Sequence, residues 1–448
     1  MKFSPQRLMK KEVDNLIAFS RNFLLYKRYV LLLGIISLLY ISVILFYTHG
    51  ALLFDGDNSG FYHFSSSLLE SPTGILITLS LFLSFGNIYL AFYIYLYLSL
   101  FIGVLASFYL SLQILNNFIP REKLLISSLL SSALFPITPL ILIDYYSSFI
   151  GNVALSTSLF TLFLAFIFRS YSSQGNQQRF LNSILLSGVF LGLSVTPYPN
   201  DVRIMIVGYL FFFSIIIFFI ISSFFSNWKV AIIRISQSTG LFIVTSVLFS
   251  LFQTYSIFKD IPAFLHESSV AAANFTYLGF YTGSFNTIPQ VIRLLGIWAF
   301  PTGFVIYHNI YYGINIVNIS SYFWPLLALL LPLILAYRIK KNRGLLLFIM
   351  TLVLLSIFWE KGANPPFGSI WYFISDRLPM GYQLIPTGML DGTFLVKMYP
   401  LLSTLSIVSI YMFLKGEGGF NIKNGPGEAY PPPNVSISII LTGWKKEL

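Results

Sequence analysis

The sequence predicts an all-helical protein that crosses a membrane many times, and three observations lead to this fold class. First, 56% of the residues are hydrophobic and 10% are charged, whereas soluble domains carry about 25% charged residues. Second, ten apolar runs are long enough, or nearly so, to cross a bilayer. Third, the charges between these runs separate by sign, as they do in polytopic membrane proteins.

The ten runs define a transmembrane domain over residues 29–415. They lie at about 29–47, 87–116, 124–143, 150–168, 181–196, 203–225, 232–252, 320–337, 344–358 and 398–414. The two shortest runs, 181–196 and 344–358, would require tilt or a locally thinned bilayer. A basic segment, 1–28, precedes the domain, and a tail, 416–448, follows it.

The distribution of charge predicts which side each loop faces. Placing the N-terminus in the cytoplasm puts 21 of the 27 basic and six of the 16 acidic residues inside, a net charge of +15. The outside then holds six basic and ten acidic residues, a net charge of −4. Positive charge is typical of cytoplasmic loops, so both termini are expected inside. This topology explains the overall charge of +11 without a nucleic-acid partner.

Three long loops are predicted outside, at about 48–86, 253–319 and 359–397. The first is expected to contain an interfacial or re-entrant helix at 74–85, because the apolar residues from 74 to 115 exceed one crossing and are interrupted at Ser84-Phe85-Gly86-Asn87. Long loops commonly carry function, so the extracellular face of a plasma-membrane protein is the predicted working face.

The first outer loop contains the sequence LFDGDNSGFYHF, with two carboxylates, Asp55 and Asp57. Asp, Gly and Asn also form ordinary solvated turns. However, an acidic pair beside an apolar membrane edge favours a raised pKa, which suits a general base. His63 lies close to the pair, but the spacing matches no metal-ligand motif, so no metal is assigned and a divalent ion is left open.

Cations and polar residues of the later outer segments are the other candidates. Arg293 lies in the apolar run VIRLLGIW, and Lys361 and Lys397 lie within or at the end of the third loop. They would suit the phosphate of a lipid carrier, although interface anchoring or salt bridges would also explain each of them singly. Tyr198 and Asp201 follow another span on the outer side, where they would line an acceptor groove or cap a helix.

Three stretches together carry a family resemblance: GDNSGFYHF, SFNTIPQVIRLLGIW and FWEKGANPPFGSIWYFISDRLPMGYQL. They resemble the GT-C superfamily of glycosyltransferases that use polyprenyl-phosphate sugars. Within it they are most similar to the group of the mycobacterial α-(1→3)-arabinofuranosyltransferase and its archaeal relatives. Among the differences from this group, Met380-Gly381-Tyr382 stands where an Arg usually follows the Leu-Pro motif, and no Trp-Trp-Asp motif is present.

This resemblance implies a GT-C-like fold and a transferase activity. The donor would be a polyprenyl (dolichyl-type) phosphate sugar, and the acceptor a glycan or a lipid. Asp57 would act as the base, with Asp55 as the alternative, and Arg293 and Lys397 would bind the donor phosphate, followed by Lys361. Two other functions stay open: a transporter or flippase for a lipid-linked saccharide, and a non-catalytic scaffold in surface-glycan assembly.

Overall fold

A computed structural model of the protein describes residues 27–42, 72–134, 150–172, 177–194, 208–218, 236–251, 326–338, 342–360 and 393–414, together with positions 233, 368–370 and 373. The chain divides into two compact units, Met1–Ile36 with Gly419–Leu448, and Ser37–Gly418. In the first unit the described residues form the beginning of one helix. The second unit is the helix bundle considered below.

The described part of the chain is helical and contains no strand. The helices are α1 (27–42), α2 (Pro72–Leu83), α3 (Ile88–Leu115), α4 (Arg121–Leu134), α5 (Ile150–Ser172), α6 (Gln177–Ser194), α7 (Gly208–Phe218), α8 (Ser236–Leu251), α9 (Leu331–Arg338), α10 (Arg343–Glu360) and α11 (Thr393–Leu414). A π-helical stretch, Leu326–Leu330, leads directly into α9. Each of the ten predicted apolar runs overlaps a described helix, and the all-α class is confirmed for this part of the chain.

One described helix is long and apolar enough to cross a membrane, namely Tyr93–Leu115 within α3, with a mean hydropathy of 2.0. Several shorter apolar helices accompany it. They are Leu155–Ser170, Gly208–Phe218, Ser236–Leu251, Arg343–Phe358 and Pro400–Leu414. These helices are consistent with membrane association.

The predicted interruption of the apolar stretch at residues 84–87 is present between α2 and α3. Phe85 and Gly86 have positive φ angles of 53° and 80°, so the chain turns sharply and α2 packs back along α3. Glycine adopts this conformation without strain, whereas the Phe85 side chain is left 98% exposed. Asn87 then caps α3, because its side-chain oxygen accepts a hydrogen bond from the Leu90 N–H at 3.1 Å.

Several helix ends meet at one end of the bundle, which we call the basic end. The Asn342 side chain, just before α10, donates a hydrogen bond to the Asn117 carbonyl, just after α3. Lys123, in the first turn of α4, lies 6.0 Å from the ring centroid of Tyr411, near the end of α11. Short connections at this end also join α5 to α6 and α9 to α10. Helices joined in this way run antiparallel.

The basic end is named for its composition. Its described positions include six basic residues and one acid, Glu122, within a few residues of the helix ends. The basic residues are Arg121, Lys123, Arg169, Arg179, Arg338 and Arg343. The predicted topology assigns these residues to the cytoplasmic side.

The opposite end of the bundle, which we call the far end, is identified by a hydrogen bond between α1 and α4. The Tyr40 hydroxyl, two residues before the end of α1, donates to the Ala133 carbonyl at 2.8 Å. Ala133 lies at the end of α4, which starts at the basic end and runs 14 residues away from it. The end of α1 therefore lies at the far end.

Two glycines one helical turn apart allow α6 and α8 to pack closely. A Cβ atom at Gly188 would collide with the Thr245 side chain, and one at Gly192 would lie 2.6 Å from the Ser246 carbonyl oxygen. The contacts advance in the same direction along both helices, so α6 and α8 run parallel. Small residues spaced by four permit such backbone approach, and they are common where membrane helices pack.

Aromatic rings fill the space between α5, α7 and α8. Phe212 and Phe242 stack with centroids 3.7 Å apart and planes inclined by 4°. Phe163 lies 6.0 Å from Phe242, and the Tyr209 ring meets Phe242 edge-on at 5.7 Å. An edge-on arrangement such as that of Tyr209 and Phe242 adds about 0.5–1.5 kcal/mol beyond the burial of area.

Replacing Gly192 with Ala tests the α6–α8 contact. The new methyl group would meet the backbone at Ser246 and Ser250, which cannot move aside as a flexible side chain can. We expect a loss of about 1–3 kcal/mol in unfolding free energy, measured by thermal unfolding of the purified protein in detergent.

Gly240→Ala is the matched control, because a Cβ at this helical position of α8 would meet nothing within 4 Å. It should leave stability unchanged or raise it by up to about 1 kcal/mol through helix propensity. Equal melting temperatures for the two variants would contradict the proposed close packing.

Candidate functional site

Of the residues predicted to act in the reaction, Lys397 belongs to a described helix. It is the fifth residue of α11 (Thr393–Leu414). The others lie outside the described residues, and their roles stay predictions. They are Asp55, Asp57, His63, Tyr198, Asp201, Arg293 and Lys361.

The described helices nevertheless show where the chain enters and leaves the predicted outer segments. The end of α1, which precedes Asp55 and Asp57 in sequence, lies at the far end with Ala133. α10 begins at the basic end and finishes 17 residues later at Glu360, the residue before Lys361. α11 packs against α10 and ends at the basic end beside Lys123, so Lys397 lies on its far-end half.

The helices around the remaining candidates have the same polarity. α6 begins at the basic end, and its last turns contact Gly208 through Leu191, so α7 starts near the far end. Tyr198 and Asp201 lie between these two helices in sequence. α8 runs parallel to α6 and therefore finishes at the far end, where the chain continues towards Arg293. The helices α1, α6, α7, α8, α10 and α11 therefore meet the predicted site segments at the far end.

A cluster of four buried hydroxyl groups holds α11 in place, and we call it the hydroxyl cluster: Ser111 of α3, Ser131 of α4, and Ser403 and Thr404 of α11. The Ser111 hydroxyl donates to Ser131 at 2.7 Å and lies 2.9 Å from the Thr404 hydroxyl. Ser131 in turn donates to Ser403 at 3.4 Å. All four residues have no exposed surface, so these hydrogen bonds form away from water and join three helices.

Pro400 shapes α11 between Lys397 and the hydroxyl cluster. Proline has no backbone N–H, so the Val396 carbonyl, four residues earlier, loses its helical donor. The Pro400 carbonyl accepts hydrogen bonds from Ser403 at 3.0 Å and from Thr404 at 2.7 Å. Proline and back-bonded hydroxyls both favour a bend. Lys397 therefore lies on a short segment whose direction depends on Pro400 and on the hydroxyl cluster.

The buried polar side chains of the described residues are all Ser or Thr. Many of them satisfy their hydroxyl within their own helix, as Ser406 does with the Leu402 carbonyl at 2.9 Å and Ser409 with Leu405 at 2.7 Å. Ser107, one turn before Ser111, and Ser128, three residues before Ser131, have buried hydroxyls for which the described part of the chain offers no hydrogen-bond partner. In the described ranges, no group of three His, Asp or Glu side chains is arranged to bind a metal ion.

Sequence reasoning missed the hydroxyl cluster and the α6–α8 glycine pair. A signal existed for both: Ser99, Gly103, Ser107 and Ser111 recur every four residues on α3, and Gly188 and Gly192 have the same spacing. Small residues at this spacing indicate a helix-packing face. The pairing with α11 has no such signal, since Ser111 and Thr404 are 293 residues apart.

Comparison with known proteins identifies no relative: no protein-family model matches the chain, and no curated protein and no solved structure matches it.

A double-mutant cycle on Ser111→Ala and Thr404→Val measures the hydroxyl cluster. Each single change removes one partner of the 2.9 Å contact, and we expect the pair to be coupled by about 0.5–1.5 kcal/mol, as for hydroxyl bonds between membrane helices. Thermal unfolding in detergent gives the four stabilities. Ser406→Ala is the control, because its hydroxyl bonds within its own helix and should show no coupling to Ser111→Ala. Additive single changes at Ser111 and Thr404 would exclude the cluster as a tie between helices.

Proposed function

We propose that the protein is a polytopic plasma-membrane glycosyltransferase of the GT-C type. It transfers a sugar from a polyprenyl-phosphate carrier to a glycan or lipid acceptor at the extracellular face. In this proposal the basic end faces the cytoplasm and the far end faces outside, both termini are cytoplasmic, and the bundle crosses the membrane about ten times.

The observation that carries the proposal is the shared polarity of the helices at the far end. Four helix ends lie at the far end: the end of α1, before the acidic segment, the end of α6, before Tyr198 and Asp201, the end of α8, before Arg293, and the end of α10, before Lys361. Lys397 lies on the half of α11 nearest to that end. In this proposal a carboxylate base and several phosphate-binding cations meet on that side of the bundle. The opposite side carries the excess of basic residues typical of a cytoplasmic face.

In the proposed reaction a carboxylate accepts the proton and cations stabilise the leaving phosphate. Asp57 accepts the proton of the acceptor hydroxyl as the hydroxyl oxygen bonds to the anomeric carbon of the sugar. The bond between that carbon and the phosphate oxygen breaks, and the lipid phosphate leaves with the electron pair. Arg293 and Lys397, with Lys361, stabilise the negative charge of the phosphate. Asp55 is the alternative base, and His63, Tyr198 and Asp201 are candidates for contact with the acceptor.

The interior of the described bundle supports transfer at one end over transport through the bundle. Transport pathways for charged substrates contain ionisable side chains at membrane depth. The buried polar side chains described here are Ser and Thr, and many of them bond to their own helix. They serve helix packing.

The absence of cysteine from the sequence makes the proposed topology directly testable. Phe85 is 98% exposed at the start of α3, and Glu122 is exposed beyond its end, with about 42 Å of helix between them at 1.5 Å per residue for 28 residues. A membrane-impermeant maleimide should label Phe85→Cys in intact cells and Glu122→Cys after permeabilisation. Labelling of both in intact cells would exclude the proposed crossing.

Substitution of the proposed base tests the activity. Asp57→Asn should abolish one sugar addition in whole-cell glycan mass spectrometry with the protein level unchanged, because an amide cannot accept the proton. Glu70→Gln, an acid in the same predicted loop, should leave the glycans intact. An unaltered glycan profile in Asp57→Asn would refute the proposal.

Lys397→Gln should reduce the product and Lys397→Arg should retain most of it, since Arg keeps the charge at the phosphate.

A further inference from the structure

Arg169 is a cation whose side chain is partly buried between helices. It is three residues from the end of α5, at the basic end, and it is half-buried between α5 and α3. Its Nη1 donates to the Tyr109 hydroxyl at 2.9 Å, and its Cζ lies 5.9 Å from the Phe166 ring centroid. We propose that Arg169, held by Tyr109 and Phe166, binds the phosphate group of an anionic phospholipid of the inner leaflet. The inference rests on the membrane placement proposed above and is independent of glycosyl transfer.

The aromatic neighbours fix the position of the guanidinium. Phe166 stacks on Phe190 of α6 with centroids 5.4 Å apart and planes inclined by 5°, and Tyr109 of α3 lies 5.4 Å from Phe166 on another side. Three helices thus build the support for one cation. A cation within about 6 Å of a ring centroid is attracted to the ring face, more strongly where water is excluded. Arg169 is therefore preorganised, unlike a long side chain that extends freely into water.

The charge of Arg169 has no counter-charge among its described contacts. Both contacts are uncharged, and a guanidinium has five N–H donors, of which the Tyr109 bond uses one. In the described part of the basic end the one carboxylate is Glu122, which is exposed on α4 and forms no described ion pair with Arg169. The connection from α5 to α6, residues 173–176, reads Ser-Gln-Gly-Asn and contains no acid. A half-buried cation is costly without an anion, so an external anion fits the site.

The chemistry and depth of the site favour a phosphate. Arginine holds phosphate oxygens with two parallel N–H donors, and no described carboxylate occupies those of Arg169. Arg179 lies in the first turn of α6, so it is within about one helical turn of the depth of Arg169. Basic pockets between helices on the cytoplasmic side are typical sites for anionic lipid headgroups. A soluble phosphate has the same chemistry, and the experiment separates the two sources.

The experiment compares the full chain in nanodiscs of phosphatidylcholine with nanodiscs containing one part in five phosphatidylglycerol. A third arm adds inorganic phosphate to the phosphatidylcholine discs. A ligand that binds the folded state raises the melting temperature. We expect phosphatidylglycerol to raise it, Arg169→Gln to remove most of that rise, and Tyr109→Phe to remove roughly half, because the ring remains and the orienting hydroxyl is lost.

Arg343→Gln is the matched control, since Arg343 lies at the same end but is exposed. It should keep the full phosphatidylglycerol effect, which separates a specific site from general attraction to anionic membranes. Arg169→Lys, which keeps the charge without the planar fork, serves if Arg169→Gln does not fold, and it should lose a measurable part of the effect. A rise with inorganic phosphate that Arg169→Gln removes would assign the site to free phosphate.

Three results would overturn the inference: no rise in melting temperature with either phosphate source, an unchanged phosphatidylglycerol effect in Arg169→Gln, or equal losses in the Arg169 and Arg343 variants. The glycan profile of Arg169→Gln separates this inference from the proposed function. A lost lipid effect with intact glycans supports the lipid site alone, whereas an unchanged lipid effect refutes the site whatever happens to glycosyl transfer.

Discussion

The packing of α3 against α5 is the contact on which the rest of the described bundle depends. It is more extensive than the contacts that α3 makes with α2, α4 and α11. Small residues permit the approach: Ser99 and Ser107 of α3 are fully buried, and Ser158 of α5 donates to the Ser99 carbonyl at 3.4 Å. Among apolar neighbours, short side chains let two backbones come close, and the dispersion contacts that follow hold them together.

The need for close helix packing also explains why the buried polar residues of the described bundle are Ser and Thr. A hydroxyl group can return its hydrogen bond to a carbonyl three or four residues back, so burial costs little and needs no partner helix. Ser111 is an exception, because its bonds lead to α4 and α11. Residues of this kind determine which helices become neighbours, whereas small residues such as Ser99 and Ser107 determine how closely neighbours approach.

The existence and order of the helices could be predicted from hydropathy, but several helix ends could not. The run predicted at 398–414 forms a helix that begins at Thr393, although Lys397 and Pro400 depress the hydropathy there. The run predicted from 124 begins at Arg121, because a charged first turn can lie at the surface while the helix continues into the bundle. Hydropathy identifies the apolar part of a helix, whereas these two helices begin in polar or charged residues before that part.

The candidate site could be predicted as a set of segments and not as a geometry. Charge counting predicted that the acidic segment and the segments of Arg293 and Lys361 lie on one side, and the ends of α1, α6, α8 and α10 that precede the site segments lie at the far end. The distances between a base and a phosphate depend on loop conformation, for which no periodicity exists in sequence. The site formed by Arg169 and Tyr109 escaped prediction for a related reason, since the two residues are 60 positions apart and meet through helix packing.

The π-helical stretch Leu326–Leu330 carries no charge, yet it controls where charge appears at the basic end. A π turn accommodates one more residue than an α turn, so the helix that follows is rotated by roughly 100° relative to an uninterrupted α-helix. α9 follows the π-helical stretch directly, so it is rotated by this angle along its length up to Arg338. The angular position of Arg338 around the helix axis therefore depends on the π-helical stretch about two turns before it, in which four of the five residues are leucine.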